Sequence, residues 1–395
     1  MRRKRKQAKP RPGWREELPP EVEVEVLPDA TVSRPSDIVA LREGLEPDVD
    51  VILLSGTTDE VLWARVCDLG IPLLFPEFSG PNRSFMDGGE WEYYMPDREV
   101  GFAALIEALA LRKKLGDMNA LYIGEIPSIS VFASSWDLEA IRARLGVNFV
   151  QVEGRELIEF QRQVPDDEGE KVLARWEEVI ANLVEPTREE VLDVAKLYFA
   201  FRQLLEREEA TGLAINCGRT TEYQFTTPCF AMAMLIDEGI ASACEADTNA
   251  MLAMKSLMEL THGPALMGNF RVWPEEKQVS IHHDVIPRGM VSGPFDMFGF
   301  HYRDMGVTGY ADLRQDEVVT IAGISRDLNE MMVTTGIVRS SENMVHCRLR
   351  AFIDVEDPEA IRYAQVGHHH SMAYGDVREE VKALGKVLGL EVHSV

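Results

Sequence analysis

The spacing of apolar runs changes part-way along this chain, and that change narrows the available folds more than any single motif. From Glu21 onward, short runs rich in Val, Ile and Leu alternate with amphipathic stretches. Residues 51–54, 71–75, 120–124, 131–134 and 149–152 read as strands, and 98–115 and 137–145 as helices. The alternation predicts βαβ units wound into a Rossmann-like, doubly wound α/β sheet, with Ser55, Gly56, Thr57 and Thr58 capping a helix that runs through Arg65. Residues 165–209 are acidic, polar and helical, and a new sheet is expected to begin at 213–217. Past residue 264 strand follows strand, at 317–324, 331–338 and 345–355, which predicts an antiparallel sheet or barrel. A helix at 377–388 and a strand at 390–392 close the chain. The expected organisation is a disordered basic tail over 1–20 and an N-terminal Rossmann-like domain over 21–165, then a second α/β domain over 166–270 and a C-terminal antiparallel β domain over 271–395.

Composition matters here for what it excludes. The chain has 395 residues, 45% of them hydrophobic, enough for two or three domains with cores of their own. Seven basic residues (Arg2, Arg3, Lys4, Arg5, Lys6, Lys9, Arg11) fall within the first twelve, leaving 34 basic against 66 acidic residues elsewhere. A body charge of −32 repels nucleic acid and argues against it as a partner. The basic tail lacks the apolar run of a secretory signal, and no apolar stretch reaches the roughly 18 residues of a spanning helix. The sequence therefore reads as a cytoplasmic protein without a membrane role. The five cysteines (67, 217, 229, 244, 347) are dispersed with no C-x-x-C pair, a pattern of reduced, buried thiols. No dinucleotide fingerprint, P-loop or G-x-S-x-G elbow is present.

The candidate chemistry lies at predicted strand ends. Glu245 and Asp247 follow the apolar run 239–243 and precede a helix, at the position where open α/β sheets form their crevices. Asp247 also suits capping that helix, whereas Glu245 stands among small residues where a long acid has no packing value. The methionine-rich helix between them and residue 260 is core. Asn269 comes 24 residues after Glu245, at the end of the apolar run 265–267; on neighbouring parallel strands the two would meet. Its amide oxygen suits a hard cation, and equally a turn. His282 and His283 end the run 278–281, and at most one of two adjacent strand residues faces a given site. Asp284 is positioned to orient an imidazole or to offer a further carboxylate, and His282, Asp284 and His370 are candidate substrate contacts. His368, His369 and His370 follow 365–367 in the same manner, with 368 and 370 sharing a face if the segment is extended. A set of one carboxylate (Glu245), one amide oxygen (Asn269) and two imidazoles (His283, His369) would suit manganese or another divalent ion. Arg219, just after the strand ending at Cys217, is placed to grip an anionic substituent. Trp91, Tyr93 and Tyr94 read first as a core or interface group.

In order along the chain, the run from Thr227 to Ile240, then Ala243-Cys244-Glu245-Ala246-Asp247, Gly268-Asn269-Phe270 and Gly367-His368-His369-His370, resembles the L-fucose isomerase and L-arabinose isomerase superfamily. The resemblance spans roughly residues 213–395 and implies a metal-dependent aldose–ketose isomerase that works through an enediol, with manganese bridging two sugar oxygens. It further implies Glu245 as ligand and acid/base carboxylate, His282 or His283 and His369 or His370 as the histidines, and a trimer or hexamer. The chain departs from the pattern at Asn269, where an acid is implied; an amide cannot move a proton at neutral pH. That departure leaves three outcomes open: the acid role moves to Asp247, Asp284 or a water, the substrate differs, or sugar binding persists without isomerisation. A metal-assisted lyase is a further competing class.

Overall fold

The computed structural model describes residues 14–20, 22–27, 30–32, 34–45, 49–54, 65–76, 91–125, 137–218, 226–300 and 306–395. The chain divides into two compact units, Met1–Ala110 and Leu111–Val395. In the first, helix α1 (Pro35–Gly44) precedes a parallel sheet of three two-residue strands, β1 (Ile52–Leu53), β2 (Leu73–Leu74) and β3 (Tyr93–Tyr94). Ile38, Val66, Cys67, Leu73 and Phe75 form its core, with Trp91 and Tyr93 packed against it. The aromatic run is thus a packing group. The expected cap at Ser55 to Thr58 lies outside the described residues, as does the expected strand at 131–134. Helix α2 (Phe102–Gly116) leads the chain into the second unit.

There, β4 (Asn119–Ile123), α3 (Leu138–Leu145) and β5 (Asn148–Val152) make a βαβ unit. Asp137 caps α3 by accepting the amide of Ala140, and Gly146 ends it in a left-handed conformation. The acidic stretch folds as α4 (Gly154–Gln163), α5 (Asp166–Trp176), a strand β6 (Ile180–Leu183) and α6 (Arg188–Arg207), the last opened by a capping box of Thr187 and Glu190. Strand β7 (Ala210–Ile215) then pairs in parallel with β4. It joins the existing sheet where the sequence suggested a new one, because its run of buried Leu213, Ala214 and Ile215 fits between two neighbours. After α7 (Cys229–Asp237), β8 (Ala241–Ala243) completes the order β5-β4-β7-β8.

From α8 (Thr248–Thr261) onward the chain is mostly antiparallel: β9 (Ala265–Trp273), β10 (Gln278–His283), β11 (Phe295–Phe298), β12 (Thr308–Tyr310), β13 (Val318–Ile324), β14 (Glu330–Asn343), β15 (Leu349–Asp354), α9 (Pro358–Ala364), β16 (His369–Tyr374), α10 (Arg378–Val387) and β17 (Glu391–Ser394). Strands β13, β16, β9, β10, β15 and β14 follow one another, and β14 pairs back to β13, so the sheet closes into a barrel. Long β14 makes the closure possible: 331–337 pair with β13, 337–343 with β15, and the register shifts between Val338 and Ser340. Strand β17 adds to it in parallel, while β11 and β12 form a small sheet with β6.

Two placements correct the sequence reading. Asn269 sits on β9 of the antiparallel barrel, so the expected parallel-strand neighbourhood with Glu245 does not exist. An apolar run reports burial, not which sheet it enters. The histidine triplet begins a strand instead of ending one: 365–367 form the turn after α9, with Gly367 at φ +71°, and His369 is the first residue of β16.

Candidate metal centre

The carboxylate side of the site is built at the end of β8. A single turn, Cys244–Ala246, separates β8 from α8, and within it Glu245 and Ala246 have φ of 56° and 52°. Two consecutive side-chain-bearing residues in the left-handed region carry strain that neighbours must offset. The amide of Cys244 lies 3.3 Å from Met267 Sδ and that of Glu245 3.4 Å from Cys217 Sγ, which itself lies 2.7 Å from Cys244 Sγ. Glu245 is partly exposed on this turn, and Asp247 follows it as the N-cap of α8.

Asp247 does two things at once. Its Oδ1 accepts the Ala250 amide at 2.9 Å, the N-cap bond of α8, and its Oδ2 accepts His369 Nδ1 at 2.8 Å. Both residues are buried, at 1% and 3% exposure, so the pairing occurs out of water. With Nδ1 committed, His369 presents Nε2, which lies 3.9 Å from Glu245 Oε1. Helix α8 is also tied to the barrel by Asn249 to the Ser325 carbonyl at 2.6 Å and by Ser371 to the Ala250 carbonyl at 2.9 Å. The capping residue and the barrel histidine are therefore held in one frame.

His283 supplies the third group. Its ring centroid is 5.5 Å from that of His369, and one donor atom each from Glu245, His283 and His369 lie within 4.8 Å of one another. His282 precedes it in the strand and lies in register with Asn269, where the pairing of β10 with β9 ends. Gly268 lets those strands approach: a Cβ there would sit 2.6 Å from Ile281 Cγ2 and 2.9 Å from the His282 carbonyl.

The electrostatics separate the histidines. Burial, then the neighbouring His369, pushes His283 down to about 4, and burial pushes His370 down to about 3. His369 shifts upward, because although burial opposes its charge, the Asp247 hydrogen bond and carboxylate outweigh that cost. Both ring nitrogens of His283 and the Nε2 of His369 are buried without a hydrogen-bond partner among the described residues. Unsatisfied buried nitrogens are costly, and a cation accepting their lone pairs removes that cost. Two imidazoles and one carboxylate thus fit a divalent metal ion.

The remaining predicted residues fall into different places. Asn269 Nδ2 contacts His368 Nε2 at 2.5 Å. Asp284 is buried behind the site, its Oδ1 accepting the Arg348 amide at 2.7 Å. His370 is enclosed, its ring 4.3 Å from that of Phe270, and Gly323 leaves the room: a Cβ there would meet His370 Cδ2 at 2.7 Å. A direct contact between substrate and so enclosed a ring is not available in this conformation. Arg219 lies outside the described residues. Sequence reasoning missed Arg348, whose guanidinium is buried, donates to Glu185 and the Gly299 carbonyl at 2.9 Å each, and stacks over Phe298. A single Arg in a strand-rich stretch carries no signal of that role. The partnership of Cys217 with Cys244 was equally illegible, since the two are 27 positions apart.

No protein-family model matches the chain. Similarity to characterised proteins is nonetheless extensive. Sulfoquinovose isomerases of Priestia aryabhattai and Priestia megaterium are each 23% identical over 310 residues, covering 75% of this chain and 69% of theirs. That of a Clostridium species is 23% identical over 302 residues, 73% of this chain and 67% of its own.

Proposed function

We propose that this protein is a metal-dependent sugar isomerase, related to the fucose and arabinose isomerase group and sharing its Rossmann-like α/β plan. The chain interconverts aldose and ketose sugars, as do the sulfoquinovose isomerases to which it is similar, and their named substrate is the first sugar to test. The observation that carries the reading is the convergence of Glu245, His283 and His369 within 4.8 Å. A divalent ion held there, manganese by resemblance, would supply Lewis-acid stabilisation of negative charge on a sugar oxygen.

The chain's own residues supply the rest. Conversion of aldose to ketose moves one proton from C2 to C1 and a second from the C2 hydroxyl to the C1 oxygen, through an enediol. Glu245, the partly exposed carboxylate of the cluster, takes the C2 proton and returns it at C1. Asp247 keeps His369 in the tautomer that presents Nε2 to the site. The buried rings of His283 and His369 exclude water from one side of the cluster. Asn269 neither takes nor gives a proton, and it favours a second reading in which sugars bind without turnover. A cytoplasmic homo-oligomer completes the proposal.

Elemental analysis and a panel of aldoses and ketoses in deuterated water test it. Bound divalent metal at about one per chain, with deuterium entering at C1 or C2, is the expected result. Sugars that raise the melting temperature of a metal-free, inactive protein would establish the second reading instead.

A further inference from the structure

The cluster fixes one end of a substrate, and the register of the barrel points to what receives the other. His369 pairs with Asn269, Asn269 with His282, and His282 with Arg350. Cross-strand partners project from the same face, so the four form a single row across β16, β9, β10 and β15, running from a proposed metal ligand to a guanidinium. Arg271 lies two residues beyond Asn269 on β9, hence on the same face, with its guanidinium 5.4 Å from the Trp273 ring.

Arg350 stands apart among the described arginines by combining partial burial with the lack of a carboxylate or any other hydrogen-bond partner for its side chain. Acidic residues outnumber basic ones by 66 to 41, and Arg188, Arg202, Arg339 and Arg348 each hold a carboxylate. Arg350 is partly buried, yet among the described residues it makes no hydrogen bond or ion pair, even with Glu342, its exposed register partner on β14. It nevertheless lies directly across from His282, its register partner on β10. A guanidinium withheld from so large an excess of carboxylates, on the row that starts at the candidate metal centre, is suited to an anion from outside the chain.

We infer that Arg350, with His282 beside it on β10 and Arg271 across that strand on β9, is the subsite for a tetrahedral anion, a sulfonate or a phosphate, borne by the sugar at the end remote from the isomerised carbons. A guanidinium matches such a group with two parallel N–H donors. Adjacent strands stand about 4.8 Å apart, so Arg350 lies about 14 Å of backbone spacing from β16, a gap that an extended six-carbon chain of about 6–7 Å closes only together with the reach of the arginine side chain. The assignment rests on the isomerase reading only for which end of the sugar reacts; anion binding itself requires no turnover.

The test uses sulfoquinovose, glucose 6-phosphate and glucose as probes, with calorimetric binding and deuterium exchange measured on the full chain loaded with metal. Wild type is expected to bind at least one anionic sugar more tightly than glucose, and the tighter of the two identifies sulfonate or phosphate. Arg350→Gln should weaken that sugar about tenfold or more while leaving glucose within about twofold. In turnover the loss should appear in KM with kcat little changed, and Arg350→Lys should recover part of it. Equal weakening of all three sugars, or a wild type that binds neither anionic sugar better than glucose, overturns the subsite. Anion selectivity that Arg350→Gln abolishes, in a protein that exchanges no deuterium into any sugar, sustains the subsite and sinks the isomerase reading. Exchange into glucose with no anion preference does the reverse.

Discussion

Glu245 reaches the candidate centre from a turn held at φ 56°, whereas His283 and His369 reach it from regular antiparallel strands. The parallel sheet thus contributes a strained, partly exposed acid, and the barrel contributes rigid, buried imidazoles. The difference matches the two proposed tasks. A group that moves a proton between carbons must face the substrate, while groups that only hold a cation work best when their rings cannot turn. Asp247 is the joint between the two, capping a helix that follows the sheet and fixing a histidine of the barrel.

The largest expected effect comes from removing the acid. Glu245→Gln keeps the size and the turn but cannot exchange a proton, so turnover should fall by about 10²–10⁴-fold with weaker metal binding. An unchanged rate in the exchange assay would remove Glu245 from the mechanism. On the barrel side, His283→Leu should abolish metal retention in elemental analysis. The metal-free fold should be no less stable to denaturant, because the ring it loses makes no hydrogen bond among the described residues. A destabilised apo variant would mark His283 as structural.

The joint can be split by two substitutions. Asp247→Ala should cost about 1 kcal/mol of stability through the lost cap, besides loosening His369. Asp247→Asn should keep the cap, since asparagine serves as well there, and lose metal affinity alone, by about 10–100-fold. Identical melting behaviour in the two variants would show that capping is not what Asp247 contributes. The smallest effect concerns pH. His282, His283, His368 and His370 are held below their ordinary 6.5, and His283 at about 4, so their neutral forms favour the fold fully above 6.5. That contribution should fade as pH falls from 6.5 toward about 4, opposed by the upward shifts of His369, Asp193, Asp237 and Glu380. Melting temperatures of chelated protein across that range should decline, and less so for His370→Phe.

The sheet half of this comparison was largely legible in the sequence, because the strand–helix alternation and an acid stranded among small residues are local signals. Its errors, a new sheet at β7 and an unbroken helical stretch over 165–209 where β6 intervenes, arose because pairing partners are not written in a strand's own residues. The barrel half was legible as strands but not as a closed ring. Closure depends on β14 changing partners along its length, and nothing in its alternation announces that. For the same reason Asn269 was assigned to the wrong neighbours. Choosing between His282 and His283 needed the positions of the side chains in space, where a ring nitrogen of His283 comes within 4.8 Å of donor atoms of Glu245 and His369. The row ending at Arg350 follows from the register of the barrel and from nothing nearer in sequence.

The bond between Asp247 and His369 joins residues 122 positions apart. Contacts of such long range are closed late in folding, since the intervening chain must be ordered first. The centre therefore exists only once β16 has been laid against β9, and a chain that stalls before that step has its acid but no imidazole from β16. An ion that binds this assembly should slow unfolding while leaving the speed of refolding almost untouched, so that occupancy sets the lifetime of the finished protein and not the pace of its making.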